Sequence, residues 1–134
     1  MTARIAFIGG GNMASSLIGG IIANGTDASN ITASDPNLEQ QQKLQQQFAI
    51  NVTADNGQAI ASSDIVVLAV KPQLMAEVCQ ALKDLGLDLS AKLFISIAAG
   101  ISVKRLKGLL GEHVAIVRTL PNTPALVGRG MTGL

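Results

Sequence analysis

The stretch IAFIGGGNMA, residues 5–14, joins a short apolar run to a glycine-rich turn and then to a segment with helical spacing. It matches the pattern G-x-G-x-x-A in a strand–turn–helix context. There Gly9 permits the sharp turn, Gly11 lets the backbone approach a pyrophosphate, and Ala14 keeps the helix close to the strand. The first N–H groups and the positive dipole end of the helix then face the anion. The stretch predicts a phosphate-binding loop, although similar turns also occur in loops that bind nothing.

Composition favours one domain without a nucleic-acid partner. The chain has 134 residues, is 48% hydrophobic and carries a net charge of +1. That charge gives no field to attract nucleic acid or an anionic membrane. Three Phe are the only aromatic residues, so the core must be aliphatic and the stacking platforms of single-strand binders are missing.

Single cysteine and histidine residues limit the chemistry further. Cys79 and His113 are the only residues of their types, which predicts no internal disulfide and no metal site. Cys79 has helical spacing and is interpreted as a core residue, with a nucleophile as the alternative. The apolar run after Arg4 is too short for a signal peptide, and no run approaches the roughly 18 residues of a membrane span. We therefore expect a cytoplasmic protein without a membrane segment.

Apolar runs rich in β-branched residues alternate with segments of helical spacing. The runs predict strands, most of them buried on both faces, at Ile5–Ile8, Ile31–Ser34, Ile50–Val52, Ile65–Val70, Leu93–Ile97 and Val114–Leu120. Two of the helical segments have apolar stripes, Met13, Leu17, Ile18 and Ile21 in one, and Leu74, Met75, Val78 and Leu82 in the other. This alternation predicts a parallel sheet covered by helices on both faces.

A glutamine-rich segment, residues 39–48, has two interpretations. Gln is a good helix former, and Leu44 and Phe48 lie four residues apart, which favours a solvated helix. A disordered glutamine tract is the alternative. Further along, Ser102 is a predicted N-cap of another helix.

Polar and small residues follow several of the predicted strands. Asp35, after the second strand, either bonds the ribose of a dinucleotide or serves only the turn that Pro36 continues. Lys71 and Pro72 follow the fourth strand, where Lys71 reaches either a ligand or water. Small residues end the fifth strand at Ala98 and Ala99, and a stiff polar loop, Asn122 and Thr123, follows the sixth. No Ser-His-Asp set, carboxylate pair or Cys-His pair is present, so no catalytic residue is predicted and a cofactor must carry any chemistry.

Five motifs in series resemble the amino-terminal half of the pyrroline-5-carboxylate reductases. They are FIGGGNMA at 7–14, ASDP at 33–36, LAVKP at 68–72, AAGI at 98–101 and RTLPNTP at 118–124. The resemblance covers nearly the whole chain. It implies a Rossmann-type, doubly wound α/β domain over residues 1–134, with strand order 3-2-1-4-5-6, that binds NADPH or NADH. The reaction it implies is the reduction of 1-pyrroline-5-carboxylate to L-proline, the last step of proline biosynthesis.

The resemblance also implies roles for individual residues. It assigns cofactor binding to Gly9, Gly10, Gly11, Asn12, Met13, Ala14, Ser34, Asp35, Asn56, Ala69, Val70, Lys71, Pro72, Ala98 and Ala99. It places Asn122 and Thr123 next to the substrate. Asp35 stands where many NADPH-dependent members carry a neutral or basic residue, which leaves the choice between NADPH and NADH open.

The family's carboxy-terminal helical domain, which forms the dimer and supplies the substrate loop, is absent from the sequence. We therefore expect this chain to be an inactive fragment whose parent is a homodimer or larger homo-oligomer. Two alternatives remain. One is a nucleotide-binding module without catalysis, and the other is an imine or β-hydroxyacid reductase from a neighbouring family, for which the PNTP loop is the discriminating motif.

Overall fold

A computed structural model describes residues 4–86, 88–97 and 100–118. Within these ranges, six strands form one parallel sheet in the order β3-β2-β1-β4-β5-β6. The strands are β1 (Ile5–Ile8), β2 (Ile31–Ser34), β3 (Asn51–Thr53), β4 (Ile65–Leu68), β5 (Leu93–Ser96) and β6 (Ala115–Arg118). The helices are α1 (Asn12–Ala23), α2 (Leu38–Phe48), α3 (Asn56–Ala61), α4 (Met75–Lys83) and α5 (Val103–Leu110). The predicted fold class and strand order are confirmed.

Two apolar layers cover the faces of the sheet. On one face α1 and α2 bury Ala14, Leu17, Ile18, Ile21 and Leu44 against alternate residues of β1 and β2. On the other face α3, α4 and α5 bury a second cluster against Ala6, Ile8, Val66, Leu68 and Phe94. Because β1 lies between β2 and β4, all four of its residues are buried, and its carboxyl end is held from both sides.

Helix ends follow local capping rules. Asn37 caps α2 by accepting hydrogen bonds from the backbone N–H groups of Glu39 and Gln40. Asp55 caps α3 in the same way. Ser102 accepts a bond from the Arg105 N–H at 3.1 Å, which confirms it as an N-cap. The glutamine-rich segment forms α2, so the helix interpretation is the correct one.

Two predicted stripes were wrong at one residue each. Met13 is 49% exposed and Ala14 takes its place in the buried face of α1. Leu74 is 44% exposed because it belongs to a short 3-10 helix, Pro72–Leu74, that precedes α4. Buried residues of α4 are Met75, Cys79 and Leu82.

The strands are also shorter than several of the predicted runs. β4 ends at Leu68 rather than Val70, and β5 at Ser96 rather than Ile97. β6 was predicted as Val114–Leu120, of which residues 119 and 120 lie outside the described ranges. Its residues are mostly exposed rather than buried on both faces, because within the described residues β6 has only one neighbouring strand.

Cys79 is fully buried in the core beside α5. Burial raises the pKa of its thiol to about 11, because desolvation disfavours the thiolate. This supports the core interpretation over the nucleophile. His113 is exposed. Among the described residues, no group of three or more His, Cys, Asp or Glu could hold a metal ion, and none of their helices is long and apolar enough to cross a membrane.

Candidate functional site

The loop after β1 packs its first glycine against the end of β4. The Gly9 N–H donates to the Ser34 carbonyl at 2.8 Å, and Gly9 has a φ of +101°. A Cβ at this position would lie 2.7 Å from the Ala69 carbonyl oxygen. Only glycine combines this φ with such a close backbone approach. The predicted role of Gly9 in the turn is confirmed.

The second glycine is fastened to the β2–α2 segment. The Gly10 N–H donates to Asp35 Oδ2 at 3.0 Å, and Gln40 Nε2 donates to the Gly10 carbonyl. Gly10 is buried, and a Cβ on it would lie 2.9 Å from Leu44 Cδ1. The loop therefore rests directly on α2.

The third glycine begins α1 and faces open space. Gly11 is the N-cap residue, no side chain caps the helix, and the Ser15 N–H donates to the Gly11 carbonyl at 2.9 Å. Among the described residues, a Cβ on Gly11 would meet no atom within 4 Å. Asn12 and Met13 are exposed beside it, whereas Ala14 packs into the core. The first turn of α1 thus offers backbone donors and a positive dipole end at the carboxyl edge of the sheet.

Side chains after β2 and β3 meet at the same edge. The buried Ser34 hydroxyl donates to Asn56 Oδ1 at 2.5 Å. Asp35 Oδ1 accepts a bond from the Asn37 N–H at 2.8 Å, while Oδ2 takes the Gly10 N–H. Both carboxylate oxygens therefore accept hydrogen bonds from backbone N–H groups. The Asn37 bond supports the turn interpretation, and the Gly10 bond adds a contact to the glycine-rich loop at residues 9–14. The ribose interpretation of Asp35 stays a prediction.

The end of β4 borders the loop from the other side. The Ala69 N–H donates to the Ile8 carbonyl at 2.8 Å, and Ala69 and Val70 are half-buried. Lys71 and Pro72 are exposed. Pro72 occupies the first turn of a short helix, as expected from its missing N–H.

The structure thus brings most of the predicted cofactor residues to one edge of the sheet. They are Gly9, Gly10, Gly11, Asn12, Met13, Ala14, Ser34, Asp35, Asn56, Ala69, Val70, Lys71 and Pro72. Four predicted site residues lie outside the described ranges: Ala98, Ala99, Asn122 and Thr123.

The sequence patterns did not predict the side-chain hydrogen bonds that Gln40 and Gln41 make near the loop. Gln41 Nε2 donates to the Asp35 carbonyl at 2.7 Å, next to the bond from Gln40 to Gly10. Both glutamines are half-buried, whereas Gln42 is exposed. No local pattern distinguishes the three, because only the packing of α2 against the loop decides which amides find partners.

A polar cavity of about 360 Å³ lies elsewhere, beside the amino ends of β1 and β2 and along β3. Its lining includes Arg4, Thr32, Asn51, Gln58 and Ser62. None of the predicted site residues that the structure describes contributes to it. This cavity and the glycine-rich loop therefore lie at different parts of the sheet.

Residues 4–100 match the model of a protein family described as NADP oxidoreductase, coenzyme F420-dependent. The chain belongs to this family. The matched segment begins at Arg4, directly before β1, and ends at Gly100, which follows Ala98 and Ala99 in the sequence. It therefore contains the glycine-rich loop at residues 9–14 and the ends of β2, β3 and β4.

Three of the similar proteins are named pyrroline-5-carboxylate reductase or pyrroline carboxylate reductase. The chain is 52% identical to the pyrroline-5-carboxylate reductase of Pseudomonas aeruginosa over 133 residues, which are 99% of this chain and 48% of that protein. A solved structure of a pyrroline-5-carboxylate reductase from Coxiella burnetii superposes with a TM-score of 0.85 at 39% identity, over 95% of this chain and 47% of the other. A Plasmodium falciparum pyrroline carboxylate reductase with NADP bound superposes with a TM-score of 0.79 at 31% identity, over 94% and 45% of the two chains. The chain thus spans about half the length of the relatives it matches.

Proposed function

We propose that residues 1–134 form the NAD(P)H-binding domain of a pyrroline-5-carboxylate reductase. The cofactor part of this proposal rests on the glycine-rich loop at residues 9–14, which we call the phosphate loop. This loop leads into α1, whose N-terminus has no side-chain cap and faces open space at Gly11. Support for the substrate comes from the 52% identity to a reductase of that name along nearly the whole chain.

The backbone of the loop and the first turn of α1 would hold the pyrophosphate through N–H donors and the helix dipole. In the same proposal Ser34, Asp35 and Asn56 border the adenosine ribose. The path to the nicotinamide would be lined by Ala69, Val70, Lys71, Pro72, Ala98 and Ala99. Asn122 and Thr123 would border the substrate.

When bound, the dinucleotide supplies the hydride that reduces the C=N bond of 1-pyrroline-5-carboxylate to give L-proline. The part played by this chain is to fix the donor at the edge of the sheet, which is a contribution of proximity and orientation. Lys71, exposed one residue beyond Val70, brings a positive charge to the edge where the phosphates would lie. Either NADPH or NADH is compatible with this arrangement.

Titration of the chain with NADPH and NADH, followed by nicotinamide fluorescence, tests the cofactor part. We expect saturable binding of at least one of the two nucleotides. Absence of binding to both would refute the proposal.

A chimera tests the substrate part. The matching 133 residues of the P. aeruginosa reductase would be replaced by those of this chain, and the product assayed with 1-pyrroline-5-carboxylate and with β-hydroxyacids. We expect reductase activity on the pyrroline only. A folded chimera that binds cofactor but oxidises hydroxyacids, or reduces nothing, would contradict the assignment and favour one of the two alternatives.

Two further parts of the proposal concern the whole protein. A homodimer or larger homo-oligomer would form through the half of the reductase that lies beyond these residues, and light scattering on the chimera tests this assembly. A cytoplasmic location is compatible with Cys79, a buried thiol that suits a reducing compartment.

A further inference from the structure

We infer that Gln40 and Asp35 are positioning residues that hold the phosphate loop in its binding conformation, with Gln40 acting through the Gly10 carbonyl. This inference rests on the proposed binding of a dinucleotide. It gives a function to part of the glutamine-rich helix, which the proposed reaction leaves unexplained.

Two successive peptide units of the loop are fixed from the same side. Asp35 Oδ2 accepts the Gly10 N–H at 3.0 Å, which fixes the unit between residues 9 and 10. Gln40 Nε2 donates to the Gly10 carbonyl, which fixes the unit between residues 10 and 11. A loop held at two consecutive units keeps little freedom to rotate.

The second bond determines where the Gly11 N–H points. The described peptide bonds are all trans, and in a planar trans unit the carbonyl and the following N–H point in opposite directions. Because Gln40 holds the Gly10 carbonyl on the α2 side, the Gly11 N–H must point away from α2. This N–H belongs to the N-cap of α1, where the phosphate is proposed to bind.

The anchor itself is rigid. Asp35 is fixed by the Asn37 N–H on its other oxygen, by its own N–H donating to the Thr53 carbonyl at 3.0 Å, and by Gln41 at its carbonyl. Gly10 has no side chain to separate the two parts, since a Cβ would approach both Leu44 and Asp35 within 3.3 Å. Loop and helix therefore form one unit.

A positioning role and a nucleotide contact predict different selectivity. If Gln40 acts through the loop, its loss weakens NADH and NADPH equally, because both carry the same pyrophosphate. If Gln40 touched the adenosine ribose or its 2′-phosphate, its loss would change the ratio of the two affinities. Unlike Asp35, Gln40 is neutral. Replacing it by another neutral residue therefore leaves the charge near the nucleotide, and its effect on the ratio of the NADH and NADPH affinities, unchanged.

The experiment compares Gln40→Met, which has nearly the same shape but no donor, with Gln42→Met on the exposed side of the same helix. We expect Gln40→Met to raise the Kd of both nucleotides about tenfold, the size of one lost hydrogen bond at a fixed site. Gln42→Met should stay within about twofold of the unmodified chain. Gln40→Ala, which preserves helix propensity, is the second variant if Gln40→Met fails to fold.

Hydrogen exchange of the backbone amides, measured without nucleotide, distinguishes a loosened loop from a general loss of stability. In Gln40→Met the Gly10 N–H should exchange faster while the amides of β1 and β4 keep their protection. Unchanged affinities in Gln40→Met, a change for one nucleotide only, or an equal loss in Gln42→Met would each overturn the inference. If the unmodified chain bound neither nucleotide, the proposed function would fail instead, and the exchange data would still show whether Gln40 restrains the loop.

Discussion

The two ends of the parallel sheet differ in what they offer a ligand. Beside the amino ends of β1 and β2 and along β3, side chains such as Asn51 and Ser62 line a polar cavity of about 360 Å³. At the carboxyl ends, the loop after β1 offers backbone donors and the uncapped start of α1. Parallel strands with right-handed crossovers place the amino termini of the following helices at the carboxyl edge. The direction of the backbone, rather than the presence of a polar cavity, therefore locates the proposed site.

The largest effect is expected where the loop contacts β4. Gly9→Ala should lower the free energy of unfolding by about 3 kcal/mol, because the new Cβ combines an unfavourable φ with a contact to the Ala69 carbonyl. Urea denaturation measures the loss. Gly25→Ala is the matched control, since Gly25 has a similar φ of +109° but a Cβ there meets nothing within 4 Å. An equal loss in both variants would show that close packing of the loop on β4 contributes nothing.

Gly11→Val should separate binding from stability. A side chain at Gly11 enters open space, so the fold should remain intact. It would also occupy the space proposed for the phosphate, and we expect the Kd for NADPH to rise about a hundredfold, or about 2.7 kcal/mol. Fluorescence titration and a thermal melt measure the two properties. An unchanged titration would refute the phosphate loop.

Lys71→Met should have a moderate effect at the same edge. Removing one exposed positive charge near the proposed phosphates should weaken NADPH about fivefold at low salt. The difference in the Kd for NADPH between this variant and the unmodified chain should vanish at about 1 M salt, where the screening length falls to about 3 Å. A loss that is independent of salt would mean that Lys71 acts by another route.

Thr32→Val should have the smallest effect on binding. Thr32 lines the polar cavity, two residues from Ser34 on the same strand. If the amino edge plays no part in cofactor binding, the Kd for NADPH and NADH should stay within about twofold of the unmodified chain. A tenfold loss of affinity in a folded variant would move the site towards the cavity.

The parts of the fold that sequence predicts are those fixed by local pattern. Short β-branched runs predicted the strands because burial on both faces restricts the residue types directly. The G-x-G-x-x-A pattern predicted the turn because only glycine allows the close approach of the loop backbone to its neighbours. The errors at Met13 and Leu74 have other origins. Met13 lies at the margin of an apolar stripe, where the exact phase of the helix decides between core and solvent. Leu74 belongs to the short 3-10 helix before α4, so the spacing of α4 does not extend to it.

Long-range contacts were beyond the reach of local patterns. Gln40 and Gly10 are separated by 30 positions, and nothing near Gln40 in the sequence distinguishes it from its neighbours. β6 is one of the apolar runs, most of which were predicted to be buried on both faces, yet its exposure depends on which strands and helices flank it. For Asp35 the sequence left two roles open, a ribose contact and a turn residue. The structure adds a third, because Asp35 also accepts a hydrogen bond from the Gly10 N–H.

The most direct test of the proposed site is the map of backbone amide shifts when NADPH is added to the ¹⁵N-labelled chain. We expect the largest shifts at residues 9–14, with smaller ones at Ser34 and Asn56, and little change around Asn51 and Ser62. Largest shifts at the residues lining the polar cavity, with residues 9–14 unmoved, would contradict the assignment of the cofactor to the carboxyl edge of the sheet.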